Sequence, residues 1–478
     1  MVSEQPQELR VVNIKMFAVV AMIFCLVSAG PFGMEDMVSS SGPGLTMLML
    51  VVLPVIWAYP MGLMCCELGS ALPEEGGYYA WCRRGLGEFW GFQCGWWAWT
   101  CQWVDSAVYI ALIEGYVEGW WPQLNSFEIW GIGAALVAVF AYTNIRGLNI
   151  IAMSSVVFVI VIMAPFVAMT VLGFTHWHVS PIQPFLPPHQ SFLHSTNLGL
   201  AIGVWMFSGY ESMSVVAGEM ENPGRKIPRG LIICMPLIIA SYLLPTLAGI
   251  VGVGHWSLWA TSGGSGTISF VQAARTLGGP ILGYIMLGSA VISNMALYQD
   301  YLTSGSRPAY AMAKDKLLPK CITWAHPKYG TPWFSILFLA ALNLVLIIGP
   351  FANLVVIDVF LNMLYYLVMY GAVIALRVKE PDLARPYRIP GNTFTLVLCC
   401  IPAICIALLT LYSNAIDTST TIFGRASFTV LGWTFGWYGL GGTIAALTGP
   451  LAYVFFKHRL GGMPVEKKTF EVPSEVGS

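Results

Sequence analysis

The chain has 478 residues, of which 56% are hydrophobic and only 10% charged, with a formal net charge of −1 and a mean hydropathy of +0.69. A soluble protein of this length needs about 25% charged residues to cover its surface, so the composition excludes a large soluble enzyme and indicates a polytopic all-α membrane protein. Apolar stretches such as MLMLVVLPVIWAYPMGLMCC and MSSVVFVIVIMAPFVAMTVLG are long enough to cross roughly 30 Å of hydrocarbon.

In chain order, a polar tail (1–12) precedes spans predicted near 13–40, 44–69, 88–121, 127–145, 150–174, 196–219, 229–253, 278–304, 332–349, 353–376, 392–413 and 428–456, and a second tail follows at 457–478. The first apolar segment is too long for a signal-peptide core and lacks a clear cleavage site, so it reads as a retained span. With the N-terminus cytoplasmic, only Arg275 and Arg425 of the 23 basic residues fall on the outer side. Lys and Arg gather in cytoplasmic loops, so the span count and the cytoplasmic location of both ends support each other.

Basic residues avoid mid-membrane depth, but acids do not. Asp105 lies near the middle of the third span, Glu211 in the sixth, Glu35 and Asp36 just past the middle of the first, and Asp300 and Asp358 nearer the ends of the eighth and tenth. An intramembrane carboxylate costs about 2.5–3.5 kcal/mol on insertion scales, so each is a candidate functional group that is protonated or awaits a cation. Gly30, Pro31 and Gly33 interrupt the first span, because proline removes a donor and clashes with the preceding turn while glycine favours non-helical backbone. A second interruption is expected at Ser208, Gly209 and Tyr210, directly before Glu211. Lipid cannot satisfy the released carbonyls, so such breaks line a cavity or ion site. Spans one and six are equivalent positions of a 5+5 inverted repeat, and paired breaks there point to a transporter's substrate site.

Several stretches carry a resemblance. SAGPF at the first break, ELGSALPEEGGYYAW (67–81), GEMENPGRKIPRGL (218–231) and SRPAYAMAKDKLLP (306–319) together resemble the amino acid, polyamine and organocation transporter superfamily over nearly the whole chain. The resemblance implies 12 transmembrane helices: a LeuT-like 5+5 inverted repeat (13–376) with helices 1 and 6 broken, plus two extra C-terminal helices (392–456). It also implies secondary transport by alternating access, with the substrate held between the breaks. Glu74, Glu75, Arg225 and Lys226 read as gate salt bridges or solvated loop charge.

In amino-acid members of that superfamily, backbone amides at the first break bind the substrate carboxylate. Here Ser28 and Ala29 replace the family's glycine and serine, and Pro31 lacks an N–H, while Glu35, Asp105 and Glu211 supply carboxylates. Both departures imply a small organic cation such as a polyamine, and GPFGMED and GYES resemble segments of eukaryotic polyamine uptake transporters. Trp205 is similar to a stacking position of arginine and agmatine exchangers, where a ring holds an alkylammonium by about 0.5–2 kcal/mol. The candidate substrate-binding residues are therefore Gly30, Pro31, Phe32, Gly33, Glu35, Asp105, Tyr109, Trp205, Ser208, Gly209, Tyr210 and Glu211. Glu35 with Asp36 also fits a solvated vestibule, and Asp105 beside Tyr109 a protonated structural acid. Glu114, Glu118 and Asp358 are assigned to an external rim.

For coupling or gating the candidates are Glu211, Asp105, Thr303 and Ser304. Span five lacks the lysine of some proton-coupled relatives, and a proton carried by Glu211 or Asp105 is favoured over sodium, with exchange left open. The alternative cargo is a cationic or neutral amino acid. No nucleophile–base pair, phosphate loop or metal-ligand spacing is visible. The seven histidines lie in loops or at span ends, and the 11 cysteines read as buried thiols. No enzymatic activity, cofactor, metal or nucleic-acid partner is expected, and the plasma membrane is the expected location.

Overall fold

The computed structural model describes residues 9–121, 123–260, 267–347, 351–416, 427–430 and 433–465. The first apolar segment is two helices, α1 (Met16–Val27) and α2 (Met34–Ser41), joined by non-helical backbone. Ala29, Gly30 and Gly33 there have φ of 45°, 102° and 103°, a left-handed region that favours glycine. Helix α3 (Pro43–Leu53) continues through a π-helical turn (Pro54–Ala58) into α4 (Tyr59–Ala71). Pro54 cannot donate to the preceding turn, and such widened turns relieve that loss.

A short α5 (Tyr78–Leu86) leads to the 33-residue α6 (Glu88–Trp120). Asn125 and Glu128 form a reciprocal capping box that starts α7 (Ser126–Arg146), and Gly147 separates it from α8 (Leu148–Thr175). Helix α9 (Phe192–Met206) stops ahead of Gly209, whose φ is 100°, and a 3-10 helix (Tyr210–Glu219) completes that segment. Both expected interruptions are thus present, each at glycines with left-handed backbone.

The second half comprises α10 (Pro223–Val253), α11 (Phe270–Lys314), α12 (Trp333–Leu346), α13 (Phe351–Lys379) and α14 (Thr393–Ile416). The expected span 428–456 does not begin as a helix. Strands β1 (Ser427–Val430) and β2 (Trp433–Gly436) pair antiparallel before α15 (Trp437–Leu460). Threonine, valine and aromatic residues in SFTV and WTFG favour extended backbone over helix. The eighth span likewise exceeds its expected limits, because α11 runs from Phe270 and passes through Gly279 with φ 80°.

Among the described residues, eight helices are long and apolar enough to cross a membrane, and α1 and α12 are shorter apolar helices. Their outward faces are apolar, as Val157, Ile160, Val167 and Val171 on α8 illustrate. Lipid-facing helices need no polar exterior, since their backbone bonds are internal. The interior is organised by α6, which packs against both α11 and α13, and by α1, held between α8 and α10.

Candidate functional site

The two interrupted segments meet. A Cβ on Gly209 would lie 2.8 Å from the Leu26 carbonyl oxygen, and one on Gly33 would lie 3.6 Å from the Trp205 ring. The last carbonyls of α1 and α9 have no partner within their helices, and the buried Tyr242 hydroxyl is shared between the two ends, 3.2 Å from Val27 O and 2.9 Å from Met206 O. Ser208 Oγ donates to Val204 O and accepts from the Trp57 indole at 3.3 Å, and the Gly209 N–H donates to the Tyr366 hydroxyl at 3.2 Å.

Around this junction lie three buried carboxylates, Asp105, Glu211 and Asp358, exposed by 3%, 1% and 1%. Glu211 Oε1 lies 2.9 Å from the Tyr365 hydroxyl and 3.2 Å from that of Tyr366, while its Oε2 has no partner. The Tyr365 hydroxyl is also 2.6 Å from Asn362 Oδ1, and Asn362 Nδ2 donates to Asp358 Oδ2 at 3.0 Å. The Cys101 thiol donates to Asp358 Oδ1 at 2.6 Å. Asp105 faces the Tyr109 and Tyr301 hydroxyls and the Trp205 indole, with Oδ1 unpartnered. It is near enough to Glu211 and Asp358 for their charges to interact. Among the described residues, no ion pair with Lys, Arg or His reaches any of the three.

Asp358 therefore does not belong to an external rim. Hydropathy gives a residue's approximate depth but not which side of its helix faces the protein interior, and α13 turns this acid toward α6. Tyr365, Tyr366, Asn362 and Cys101 were absent from the sequence-level candidates; the YY pair after FLNML was their only signal. Glu114 Oε1 lies against Gly133 of α7, and the Glu118 side chain lies outside the described residues.

Other candidates are placed differently. Tyr210 is buried, its hydroxyl has no hydrogen-bond partner, and its titratable neighbours include Tyr242, Cys234, Tyr59 and Cys65. Phe32 packs edge-on against Phe166 at 4.9 Å. The Gly30 N–H donates to Ser28 Oγ (3.1 Å), the Gly33 N–H to Glu35 Oε2 (2.8 Å), and Pro31 has none. Thr303 donates to Asn144 Oδ1 at 2.7 Å, and Ser304 Oγ donates to Tyr301 O of its own helix. Asp300 accepts from Ser155 Oγ and Gln299 Nε2.

The Arg- and Lys-rich face has the opposite electrostatics. Glu219 accepts from Arg307 Nε at 2.7 Å, and Glu67 pairs with both Arg377 and Arg385. Arg83 pairs with Asp315 (2.8 Å), Arg84 with Glu380 (2.8 Å), and Lys314 with Glu75 (3.6 Å). Burial pushes the Glu75 carboxyl above the usual range, against the pull of Lys314. Beside these pairs is a cavity of about 310 Å³, lined by Glu75, Tyr79, Arg83 and Lys314 among others. Lys226 does not join an acid there; it donates to Asn13 Oδ1.

Comparison with known proteins gives a consistent family. A family model described as amino acid permease matches residues 14–435. The chain is 33% identical over 431 residues to a polyamine transporter of Oryza sativa subsp. japonica, covering 86% of this chain and 77% of that one. It is 33% identical over 416 residues to a probable polyamine transporter of Arabidopsis thaliana, covering 85% and 83%. A serine/threonine exchanger of Bacillus subtilis is 27% identical over 397 residues, covering 80% and 87%.

Proposed function

The chain belongs to the amino acid permease family and is a membrane transporter, and from that premise we propose that its cargo is a polyamine or a similar small organic cation. The observation that carries this reading is the cluster of Asp105, Glu211 and Asp358 at the junction of the breaks, with no base among the described residues paired to it and with unpartnered oxygens on the first two. Buried carboxylates of this kind are costly unless protonated or matched by a cation. An alkylammonium brings three N–H donors and a positive charge, while Trp205, Tyr109 and Tyr301 offer aromatic surface for its methylenes.

The first break supports the same choice. A substrate carboxylate would need its backbone donors, but Ser28 Oγ and Glu35 hold two of them and Pro31 contributes none. In this reading the chain forms twelve spans in a five-plus-five inverted repeat, with the basic face cytoplasmic. The carboxylate cluster alternates its access between the two faces, and Glu211 or Asp105 carries a coupled proton once the cargo has left.

The amino-acid reading draws on the similarity to the serine/threonine exchanger. Vesicle uptake of labelled putrescine, challenged with unlabelled putrescine, spermidine, arginine and leucine, separates the two. Competition by the amines with none by leucine supports the cation reading; failure of every polyamine to compete ends it. Repeating uptake with and without an imposed pH gradient tests the proton.

A further inference from the structure

One carboxylate ties the second half of the first broken span to the start of α11. Glu35, 1% exposed, accepts the Gly33 N–H at Oε2 (2.8 Å) and the Phe270 N–H at Oε1 (3.1 Å). Phe270 is the first residue of α11, where backbone donors have no partner within the helix and the helix dipole is positive, so a carboxylate satisfies both. The Phe270 ring closes onto the break, 6.4 Å from Phe32 and 5.4 Å from Phe166, and Trp259 backs it at 5.6 Å.

The segment that Glu35 holds is separable from the rest of α11. At Gly279 the backbone takes φ 80° and ψ −179°, which only glycine adopts readily, and Pro280 follows. Before that bend, Phe270, Ala273 and Ala274 are fully buried, whereas Gln272, Arg275 and Thr276 are exposed. The segment is therefore a short amphipathic cover, on the face opposite the Arg- and Lys-rich one. A bend lies at one end of it and a carboxylate clamp at the other.

We propose that residues 270–278 form a lid over the first break, hinged at Gly279, and that Glu35 is the positioning residue that latches it. The role rests on the transport reading, because a cation approaching Asp105 and Glu211 from this face must pass the lid. A carboxylate offers about four acceptor sites and an alkylammonium three donors, so an arriving cation competes with the Phe270 N–H for Glu35. Entry and unlatching become one exchange of donors at Glu35, and the clamp re-forms once the cation moves on.

The test uses the full chain in vesicles, with Ala273→Cys as a reporter and a membrane-impermeant maleimide added on the lid side, read against the native thiols of the parent. Glu35→Gln weakens the latch from one side. From the other, Phe270→Ala removes the ring and keeps the N–H, whereas Phe270→Pro removes both. Ser269, at φ −95° and ψ 171°, already has the conformation preferred before proline, and the first helical position tolerates it. Labelling is expected to be about tenfold faster in Glu35→Gln than in the parent, and about tenfold faster in Phe270→Pro than in Phe270→Ala, the scale of one lost charge-assisted hydrogen bond. Putrescine turnover should fall with little change in KM.

Equal labelling in either comparison overturns the latch, as does a rise in KM with unchanged labelling, which makes Glu35 a cargo ligand instead. If Glu35→Gln does not fold, the Phe270 pair decides alone. Absence of putrescine transport by the parent would remove the polyamine reading, yet the labelling series would still decide the latch.

Discussion

Two sets of buried carboxylates in this protein differ in one respect. Glu67 and Glu219, on the Arg- and Lys-rich face, each meet arginine. Asp105, Glu211 and Asp358 are equally buried but meet tyrosines, a thiol and an amide. The first set is complete within the chain and its charges hold elements together. The second meets no counter-charge among the described residues, and in the proposed function the cargo supplies it. Burial alone therefore does not separate a structural acid from a functional one; the identity of its partner does.

That contrast can be broken most strongly on the paired side. Arg307→Met strands Glu219 without its counter-charge and should lower stability by about 3–5 kcal/mol, read by thermal unfolding in detergent. A loss below 1 kcal/mol, as for a surface pair, would erase the distinction.

On the unpaired side the same kind of change should spare the fold and harm transport. Glu211→Gln is expected to lower putrescine uptake by about tenfold or more, each tenfold being about 1.4 kcal/mol, with the melting temperature unchanged or raised. A variant that melts early and transports normally per folded molecule would reverse the assignment. Asp358→Asn sharpens the boundary of the cluster. Its carboxylate is hydrogen-bonded toward Glu211 through Asn362 and Tyr365, so a decrease in uptake of about fivefold is expected, the scale of one hydrogen bond.

The smallest effect concerns Glu75, between the two cases, with a distant lysine and partial burial. Its folded pKa is raised, chiefly by burial, so its stabilising contribution is full below the unfolded pKa and is lost as pH rises through the folded one. Glu75→Gln should therefore melt above the parent by a margin that grows across that window. A margin that shrinks with rising pH would show that Lys314 outweighs burial.

Much of the candidate site's framework is legible in the sequence because the signals are local. Gly30, Pro31, Gly33 and Gly209 break helices whatever surrounds them, and both breaks appear where those residues lie. Asp105 and Glu211 stood out as acids in apolar runs. Asp358 stands out on the same ground, but hydropathy alone points to an external rim, because its face depends on how α13 packs on α6. Tyr365 and Tyr366 gave little signal, since tyrosine in a span is commonly a packing residue. The helix start at Phe270 gives little signal, because the apolar run near 278–304 begins beside Gly279.

By itself, the sequence determined the membrane class, the two interruptions and the presence of acids inside long apolar runs. These follow from residue chemistry and from the cost of placing polar groups in hydrocarbon. Only the tertiary structure decided which acid meets arginine, which meets tyrosine, and which clamps a helix start. Glu67 and Arg377 are 310 positions apart, and Glu35 and Phe270 are 235 apart. No local pattern encodes such pairings, because they arise from the packing of whole helices.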